Sequence, residues 1–162
     1  MNQSLQNNNA EKKLVLLKKR ALYYLGKREY SRKELHEKIT PFSESLDLTR
    51  QQVNQILTEL ESKDWLSDRR FADQFVFSKK RKFGLKKMEY ELKMRGVNEI
   101  IIHNALNEIK SEEYNLAKNI WEKKFRKLPE NPEERLKQMR FLQSRGINSA
   151  LIHQILSGKL SE

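Results

Sequence analysis

The feature that most constrains this chain is an internal repeat with a period of fifty residues. The segment 92–106 aligns with the segment 142–156, and seven of the fifteen aligned positions are identical. The identical pairs are Leu92/Leu142, Arg95/Arg145, Gly96/Gly146, Asn98/Asn148, Ile102/Ile152, His103/His153 and Leu106/Leu156. Repeats of this length are supersecondary units that bury their apolar faces by stacking on their neighbours. The chain is therefore expected to fold as a repeat array.

The spacing of apolar residues predicts that the repeats are helical. Apolar side chains recur at intervals of three and four, and no stretch sustains the two-residue alternation of a half-buried strand. In the segment 11–25, for example, Leu14, Leu17, Ala21 and Leu25 fall on one helical face. The predicted fold class is all-α, with three tandem three-helix repeats in an elongated array.

Helix start and stop signals divide the chain into four segments. We expect a disordered N-terminal tail over residues 1–10, which are rich in Asn and Gln. Three-helix repeats are then predicted over residues 11–66, 67–110 and 111–162. A long, a short and a medium helix follow one another in the first two repeats, and the third begins with the same long and short pair.

Local motifs mark the helix ends in the first two repeats. Ser31 has the spacing of a capping box with Glu34, as Thr49 has with Gln52, so each pair predicts a helix start. Pro41 predicts the end of the short second helix near residue 39, followed by a Ser-rich loop. Either of residues 67 and 68, a serine and an aspartate, is a suitable cap for the first helix of the second repeat.

The overall charge indicates a polyanionic partner. The chain has 33 Lys+Arg against 22 Asp+Glu, a formal net charge of +11. It lacks cysteine, which excludes disulfides and thiolate metal sites. No apolar run approaches the roughly 20 residues that span a bilayer, and the first residues lack a signal-peptide pattern. We therefore expect a cytoplasmic protein.

Two segments carry the positive surplus. Residues 12–33 contain nine basic residues and one acid, and residues 79–95 contain eight basic residues and two acids. Solvated helix ends also collect lysines, because cations are favourable near the C-terminal dipole. The concentration of the whole surplus in two segments nevertheless favours phosphate contact. Tyr23, Tyr24 and Phe83 lie within these segments, where they either pack at the rim or stack on bases.

No constellation in the sequence indicates catalysis. The sequence has no Gly-rich phosphate loop and no nucleophile elbow. His103 and His153 occupy equivalent repeat positions, which indicates a shared packing or capping role and not a metal site. Trp65 and Trp121 are expected as core anchors. We therefore predict that the chain is not an enzyme and needs neither a metal nor a cofactor.

A larger set of positions resembles a known family. Each position is common alone, but their order and spacing are specific together, and they extend over the chain beyond its first ten residues. With these residues the chain resembles the RecX family, bacterial regulators of the RecA recombinase. The positions are Ala21, Leu22, Leu25, Ser31, Glu34, Leu35, Leu66, Asp68, Arg70, Phe71, Ala72, Gly84, Glu91, Leu92, Gly96, Phe141, Leu142, Arg145 and Gly146.

The resemblance implies a curved array that binds along the groove of a RecA filament on DNA and modulates, usually inhibits, its recombinase and ATPase activity. The implied processes are homologous recombination, DNA repair and the SOS response. The expected partners are the RecA filament and single- and double-stranded DNA, bound without strong sequence preference by a monomer. From the charge pattern, the expected contact residues are Lys19, Arg20, Arg28, Arg32, Lys79, Lys80, Arg81, Lys82, Lys86, Lys87, Arg95 and Arg145.

Two other functions remain open from the sequence. A helix, a turn and a basic second helix also suit a transcription regulator that reads the major groove, although few Asn or Gln residues occupy base-reading positions. Such a regulator prefers its own duplex, typically by 10³-fold or more. A scaffold that binds partner helices in apolar grooves is the third possibility, and it predicts little salt-dependent DNA binding.

Overall fold

The structure is a computed structural model that describes residues 2–158, with side-chain burial from Asn8 onward. Its residues form nine α-helices and one 3₁₀ turn, Lys110–Glu112, without a strand in the described range, which confirms the all-α prediction. The helices are α1 Asn2–Leu25, α2 Arg32–Ser45, α3 Arg50–Ser62, α4 Asp68–Lys79, α5 Leu85–Met94, α6 Glu99–Asn107, α7 Glu113–Lys124, α8 Pro132–Ser144 and α9 Ser149–Leu156.

The chain forms two compact units. The first contains the residues up to Phe71 together with Arg95–Val97, and the second contains Ala72–Met94 and the residues from Asn98 onward. None of the helices within residues 2–158 combines the length and apolar character that spanning a bilayer requires.

The core of the first unit is built from the apolar stripes of α1, α2 and α3. Leu17 and Ala21 of α1 are fully buried, as are Leu35 and Ile39 of α2. The stripe of α3 completes this core with Val53, Ile56, Leu57 and Leu60. Burial of these faces, at about 25 cal/mol per Å² of apolar surface, is the main force that holds the three helices together.

Pro41 does not end α2, contrary to the sequence-based expectation. The helix continues to Ser45, because Ile39 and Ser43 keep its buried face in register on both sides of the proline. A proline removes one backbone N–H and frees the carbonyl four residues earlier. That carbonyl belongs to Glu37, which is exposed like Pro41, so water can satisfy it.

The N-terminal segment also differs from the expectation. Helix α1 begins at Asn2, so residues 2–10 are helical and do not form a disordered tail. The segment contains no glycine or proline that would stop a helix growing back from Glu11.

The caps predicted at the starts of α2, α3 and α4 are present. The hydroxyl of Ser31 accepts a hydrogen bond from the N–H of Glu34 at 3.1 Å. Thr49 and Gln52 form a complete capping box. Ser67, and not Asp68, caps α4, since its hydroxyl accepts the N–H of Arg70 at 3.2 Å.

Asp68 has a different role in the first unit. Its carboxylate accepts the backbone N–H of Arg32 at 2.7 Å and thereby satisfies an unpaired donor at the start of α2. Helix α2 is thus capped by one side chain from its own flank and by another from the start of α4.

The second unit has a polar group in its core that the sequence pattern did not reveal. Trp121 is buried as expected, and its indole N–H donates to the Oε1 of Gln138 at 2.7 Å. The amide of Gln138 in turn donates to the carbonyl of Lys127 at 3.1 Å. Because a buried indole N–H requires an acceptor, Gln138 takes the inward position of α8 and Leu136 is left exposed.

Two expectations about packing were wrong. His103 and His153 are both exposed, so their equivalence reflects a shared surface position and not a packing role. Trp65 is half exposed, with the ammonium groups of Lys18 and Lys63 lying over its ring.

Two Arg-Gly turns each dock against the start of a short helix. In the first unit, the carbonyl of Arg95 accepts the hydroxyl of Ser31 at 2.7 Å, just before α2. In the second unit, the carbonyl of Arg145 accepts the N–H of Gly84 at 2.7 Å, just before α5. The internal repeat therefore encodes a recurring joint between a turn and a helix start.

Glycine is required at the second joint because the backbones nearly touch. A Cβ atom at Gly84 would lie 2.5 Å from the carbonyl oxygen of Gly146. The Gly146 backbone has φ +80°, which disfavours side chains, and a Cβ there would overlap Lys87. The close approach brings the basic start of α5 against the 145–147 turn.

Candidate nucleic-acid interface

The structure divides the twelve predicted contact residues between the two units. Five lie in the first unit, and seven lie in the second. Those of the first unit are Lys19, Arg20, Arg28, Arg32 and Arg95. Those of the second unit are Lys79, Lys80, Arg81, Lys82, Lys86, Lys87 and Arg145.

Three of the five basic residues in the first unit are held in ion pairs. Arg28 and Arg95 share the carboxylate of Glu34, at 3.0 and 3.3 Å. Arg32 pairs with Glu61 and also donates to the hydroxyl of Thr58 at 3.2 Å. Because their charges are neutralised internally, these arginines serve the joint between α2, α3 and the Arg95 turn.

The other two residues of the first unit lie on the exposed side of α1. Lys19 is exposed and forms no ion pair within the described residues. The guanidinium of Arg20 lies 4.4 Å from the centre of the Phe42 ring. Lys19 and Arg20 are therefore the cations of this set that have no ion pair within the described residues.

The second unit brings six basic residues together around one connection, which we call the basic turn and define as residues 79–87. Helix α4 ends at Lys79, and the N–H groups of Lys82 and Phe83 donate back to its carbonyl at 2.8 and 2.9 Å. Helix α5 then begins at Leu85. The basic side chains of the turn are Lys79, Lys80, Arg81, Lys82, Lys86 and Lys87.

Most of these charges have no internal counter-ion. Lys80 pairs with Glu112 at 3.5 Å, and Lys87 lies over the Phe83 ring at 4.5 Å while donating to the carbonyl of Ser144 at 3.3 Å. The remaining four, Lys79, Arg81, Lys82 and Lys86, form no ion pair within residues 2–158. Lys79 is half-buried and the other three are exposed. A cluster of uncompensated cations attracts phosphate, because each contact releases condensed counterions.

Arg145 belongs to the second unit but not to the basic turn itself. Its guanidinium lies 5.1 Å from the centre of the Phe141 ring, and its carbonyl forms the joint with Gly84. The residue is half-buried, so packing and joint formation account for its position.

Of the three aromatic residues predicted near the basic segments, Tyr23 is the exposed one. The ammonium group of Lys27 lies 4.2 Å from the centre of the Tyr23 ring, and hydrogen bonding to Lys27 lowers the pKa of the phenol. Tyr24 and Phe83 are half-buried against their own units. Stacking on a base is thus compatible with Tyr23 alone among these three.

Two exposed aromatic residues of the second unit escaped the sequence analysis. Phe77 on α4 is 76% exposed, and Tyr90 on α5 is 61% exposed. Both lie off the apolar stripe of their helix: the positions three and four residues away are mostly polar, so the spacing itself could have indicated outward rings.

The described residues contain no group of three or more His, Asp and Glu side chains arranged to hold a metal ion. The arrangement of the second unit is instead that of a charged surface: flexible cations around a turn, with rings nearby.

Comparison with known families agrees with the repeat organisation. Residues 67–106 match a sequence model described as the second three-helix domain of RecX, and residues 111–156 match the corresponding third three-helix domain. The two matches together cover more than half of the chain. The chain belongs to the RecX family. The resemblance seen in the sequence is thereby confirmed.

Relatives in the RecX family extend the match to most of the chain. The "Regulatory protein RecX" of Chromobacterium violaceum is 40% identical over 142 residues, which cover 88% of this chain and 90% of the relative. The protein of the same name from Ralstonia nicotianae is 36% identical over 88% of this chain and 87% of its own length.

Solved RecX structures share the fold. The crystal structure of RecX from Lactobacillus salivarius has a TM-score of 0.73 at 20% identity, covering 91% of this chain and 96% of that chain. A second RecX crystal structure has a TM-score of 0.74 at 22% identity and covers 91% of this chain and 74% of that chain. These similarities support a helical repeat array.

Proposed function

We propose that this RecX-family chain binds the RecA filament on DNA as a monomer and inhibits its recombinase and ATPase activity. The observation that carries the proposal is the basic turn of the second unit, where Lys79, Arg81, Lys82 and Lys86 form no ion pair within the described residues. The relatives are named regulatory proteins, which supports a regulatory rather than a catalytic role for this chain.

The basic turn suits a polyanion bound through its backbone. Lysine and arginine side chains contact phosphate oxygens without reading base identity, so such contacts position a protein on DNA and do not select a sequence. An acidic surface of the recombinase would be attracted by the same charges. In both cases the interaction weakens steeply as salt rises.

The test is RecA-dependent ATP hydrolysis on single-stranded DNA, measured as this protein is titrated at about 50 and 200 mM salt. We expect inhibition at low protein concentration, with the half-inhibiting concentration rising at least tenfold at the higher salt. Unchanged hydrolysis in the presence of folded protein would reject the proposal.

A duplex-binding control separates the proposed function from sequence-specific transcription regulation. The proposal predicts similar affinities for unrelated duplexes, since phosphate contacts carry no sequence information. A preference of 10³-fold or more for one duplex over a scrambled one would favour the transcription regulator.

A further inference from the structure

A groove of about 510 Å³ lies beside the basic turn in the second unit. Its walls come from α5 and from the turn that connects α8 to α9. The lining combines Lys86, Lys87 and Tyr90 of α5 with Ser144 and Gly146 of the opposite wall. The groove has the volume of a small-molecule or single-nucleotide site.

The two lysines and the tyrosine occupy one side of α5. Tyr90 follows Lys86 by four residues and Lys87 by three, the spacings at which helical side chains are neighbours. Lys87 is already oriented, because its ammonium group is held between the Phe83 ring and the carbonyl of Ser144. An ammonium group has three donors, so Lys87 retains donors for a phosphate.

The chemistry of the groove distinguishes it from the other exposed aromatic site of this unit. Phe77 lies in a groove that is bordered by Asp73 and Glu108 as well as Lys80. The Tyr90 groove has two lysines against one carboxylate, Glu91. A polyanion with aromatic bases therefore suits the Tyr90 groove and not the Phe77 groove.

We propose that Tyr90 is a stacking platform for one unpaired base of single-stranded DNA, with Lys86 and Lys87 contacting the adjacent phosphates. The inference rests on the proposed function and specifies the strand that the second unit holds. A duplex keeps its bases stacked inside, so the exposed ring has a partner only where the strand is unpaired.

The experiment compares two labelled oligonucleotides of equal length, oligo-dT and an abasic strand with the same phosphates. Fluorescence anisotropy gives the affinity of each for the full chain. We expect Tyr90→Ala to weaken oligo-dT binding by about 5- to 150-fold and to leave abasic binding within about twofold. Tyr90→Phe retains the ring and should bind both strands as the wild type does.

Two further variants act as controls. Phe77→Ala removes an even more exposed ring from the same unit and should leave both affinities unchanged. Neutralising Lys86 and Lys87 to Gln should weaken both strands equally, since both strands carry the phosphates. A Tyr90→Ala variant that loses the same affinity for both strands, or none for either, would overturn the inference.

Failure of this inference is separable from failure of the proposed function. If Tyr90→Ala binds oligo-dT normally while the wild type still inhibits RecA-dependent ATP hydrolysis, only the stacking site is wrong. If the wild type does not inhibit ATP hydrolysis, the proposed function fails whatever the oligonucleotides show.

Discussion

The Arg95–Gly96 turn of the first unit and the Arg145–Gly146 turn of the second share a motif but use it differently. The first docks through side chains: Ser31 donates to the Arg95 carbonyl, and the Arg95 guanidinium pairs with Glu34. The second docks through backbone, with the N–H groups of Gly84 and Lys86 donating to the carbonyls of residues 145 and 146 at 2.7 and 3.2 Å.

The difference decides where positive charge is available. Around the first joint, Arg28, Arg32 and Arg95 are all neutralised by glutamates. Around the second joint the backbone makes the main contact, and Lys87 adds a hydrogen bond to the Ser144 carbonyl at 3.3 Å. Lys79, Arg81, Lys82 and Lys86 form no ion pair there within the described residues. A basic segment therefore indicates a ligand surface only when the structure leaves its charges uncompensated.

The turn before α3 shows which of two features requires a glycine, a left-handed backbone or the close approach of a neighbouring helix start. Asp47 precedes α3 as Gly96 precedes α6, and it adopts the same left-handed backbone with φ +54°. Its side chain is 92% exposed. Positive φ alone thus tolerates an aspartate, and the close approach of a neighbouring helix start is what requires glycine at positions 96 and 146.

The largest expected effect comes from breaking the backbone joint. Gly84→Ala should destabilise the second unit by about 2–3 kcal/mol, because the added Cβ meets the Gly146 backbone, which cannot move as a side chain would. Urea unfolding followed by Trp121 fluorescence in a Trp65→Phe background measures this. Gly26→Ala is the control and should cost less than about 1 kcal/mol, because its Cβ would lie 3.4 Å from the nearest neighbouring atom, the Leu22 carbonyl oxygen.

Removing the side-chain contact of the first joint should lower the free energy of unfolding by less. Ser31→Ala removes a buried hydroxyl that caps α2 and donates to the Arg95 carbonyl, for an expected loss of about 1–3 kcal/mol. Urea unfolding followed by circular dichroism gives the value, with exposed Ser62→Ala as the control. A Ser31→Ala variant as stable as the wild type would show that the first joint does not depend on this side chain.

Substitutions at two positions with a left-handed backbone test whether the close approach of a neighbouring helix, and not the backbone angle, requires a glycine. Asp47→Gly should change the free energy of unfolding by less than about 1 kcal/mol, since relief of backbone strain and the added freedom of the unfolded chain oppose each other. Gly146→Asp should destabilise far more, because a Cβ at that position meets Lys87. Equal effects of the two substitutions in urea unfolding would contradict this explanation.

The smallest effect concerns acid stability of the first unit. The ammonium groups of Lys18 and Lys63 lower the pKa of Glu59 from 4.5 to about 2. A lowered pKa in the folded protein stabilises it above pH 4.5, and this contribution is lost as the pH falls from 4.5 toward 2. Glu59→Gln should therefore lower the urea midpoint slightly at pH 6 and hardly at pH 2. An equal difference at both pH values would argue against the ion pairs as the cause.

The helices were largely predictable because they depend on local patterns. Apolar spacing and the caps at Ser31 and Thr49 placed the helix starts. Pro41 misled because the sequence does not show that it lies on the exposed side of α2. The inward position of Gln138 depends on the indole of Trp121, a partner seventeen residues away.

The candidate site was predictable only in part. Charge density identified both basic segments, but ion pairs such as Arg32 with Glu61 join residues 29 positions apart and leave no local signal. Tyr90 could have been found from the sequence, since three of its four neighbours at helical spacing are lysines, a pattern that indicates an outward ring.

The most direct test of the proposed regulation compares two variants in RecA-dependent ATP hydrolysis, each with four cations of the second unit changed to Gln. One alters the unpaired cations of the basic turn, and the other alters exposed lysines elsewhere, so both lose the same charge. We predict that the first variant needs at least about tenfold more protein to inhibit and that its salt dependence falls by a slope of about 3, while the second inhibits as the wild type does. Equal inhibition by the two variants would contradict the assignment of the basic turn. The changed residues are Lys79, Arg81, Lys82 and Lys86 in the first variant and Lys123, Lys124, Lys127 and Lys137 in the second.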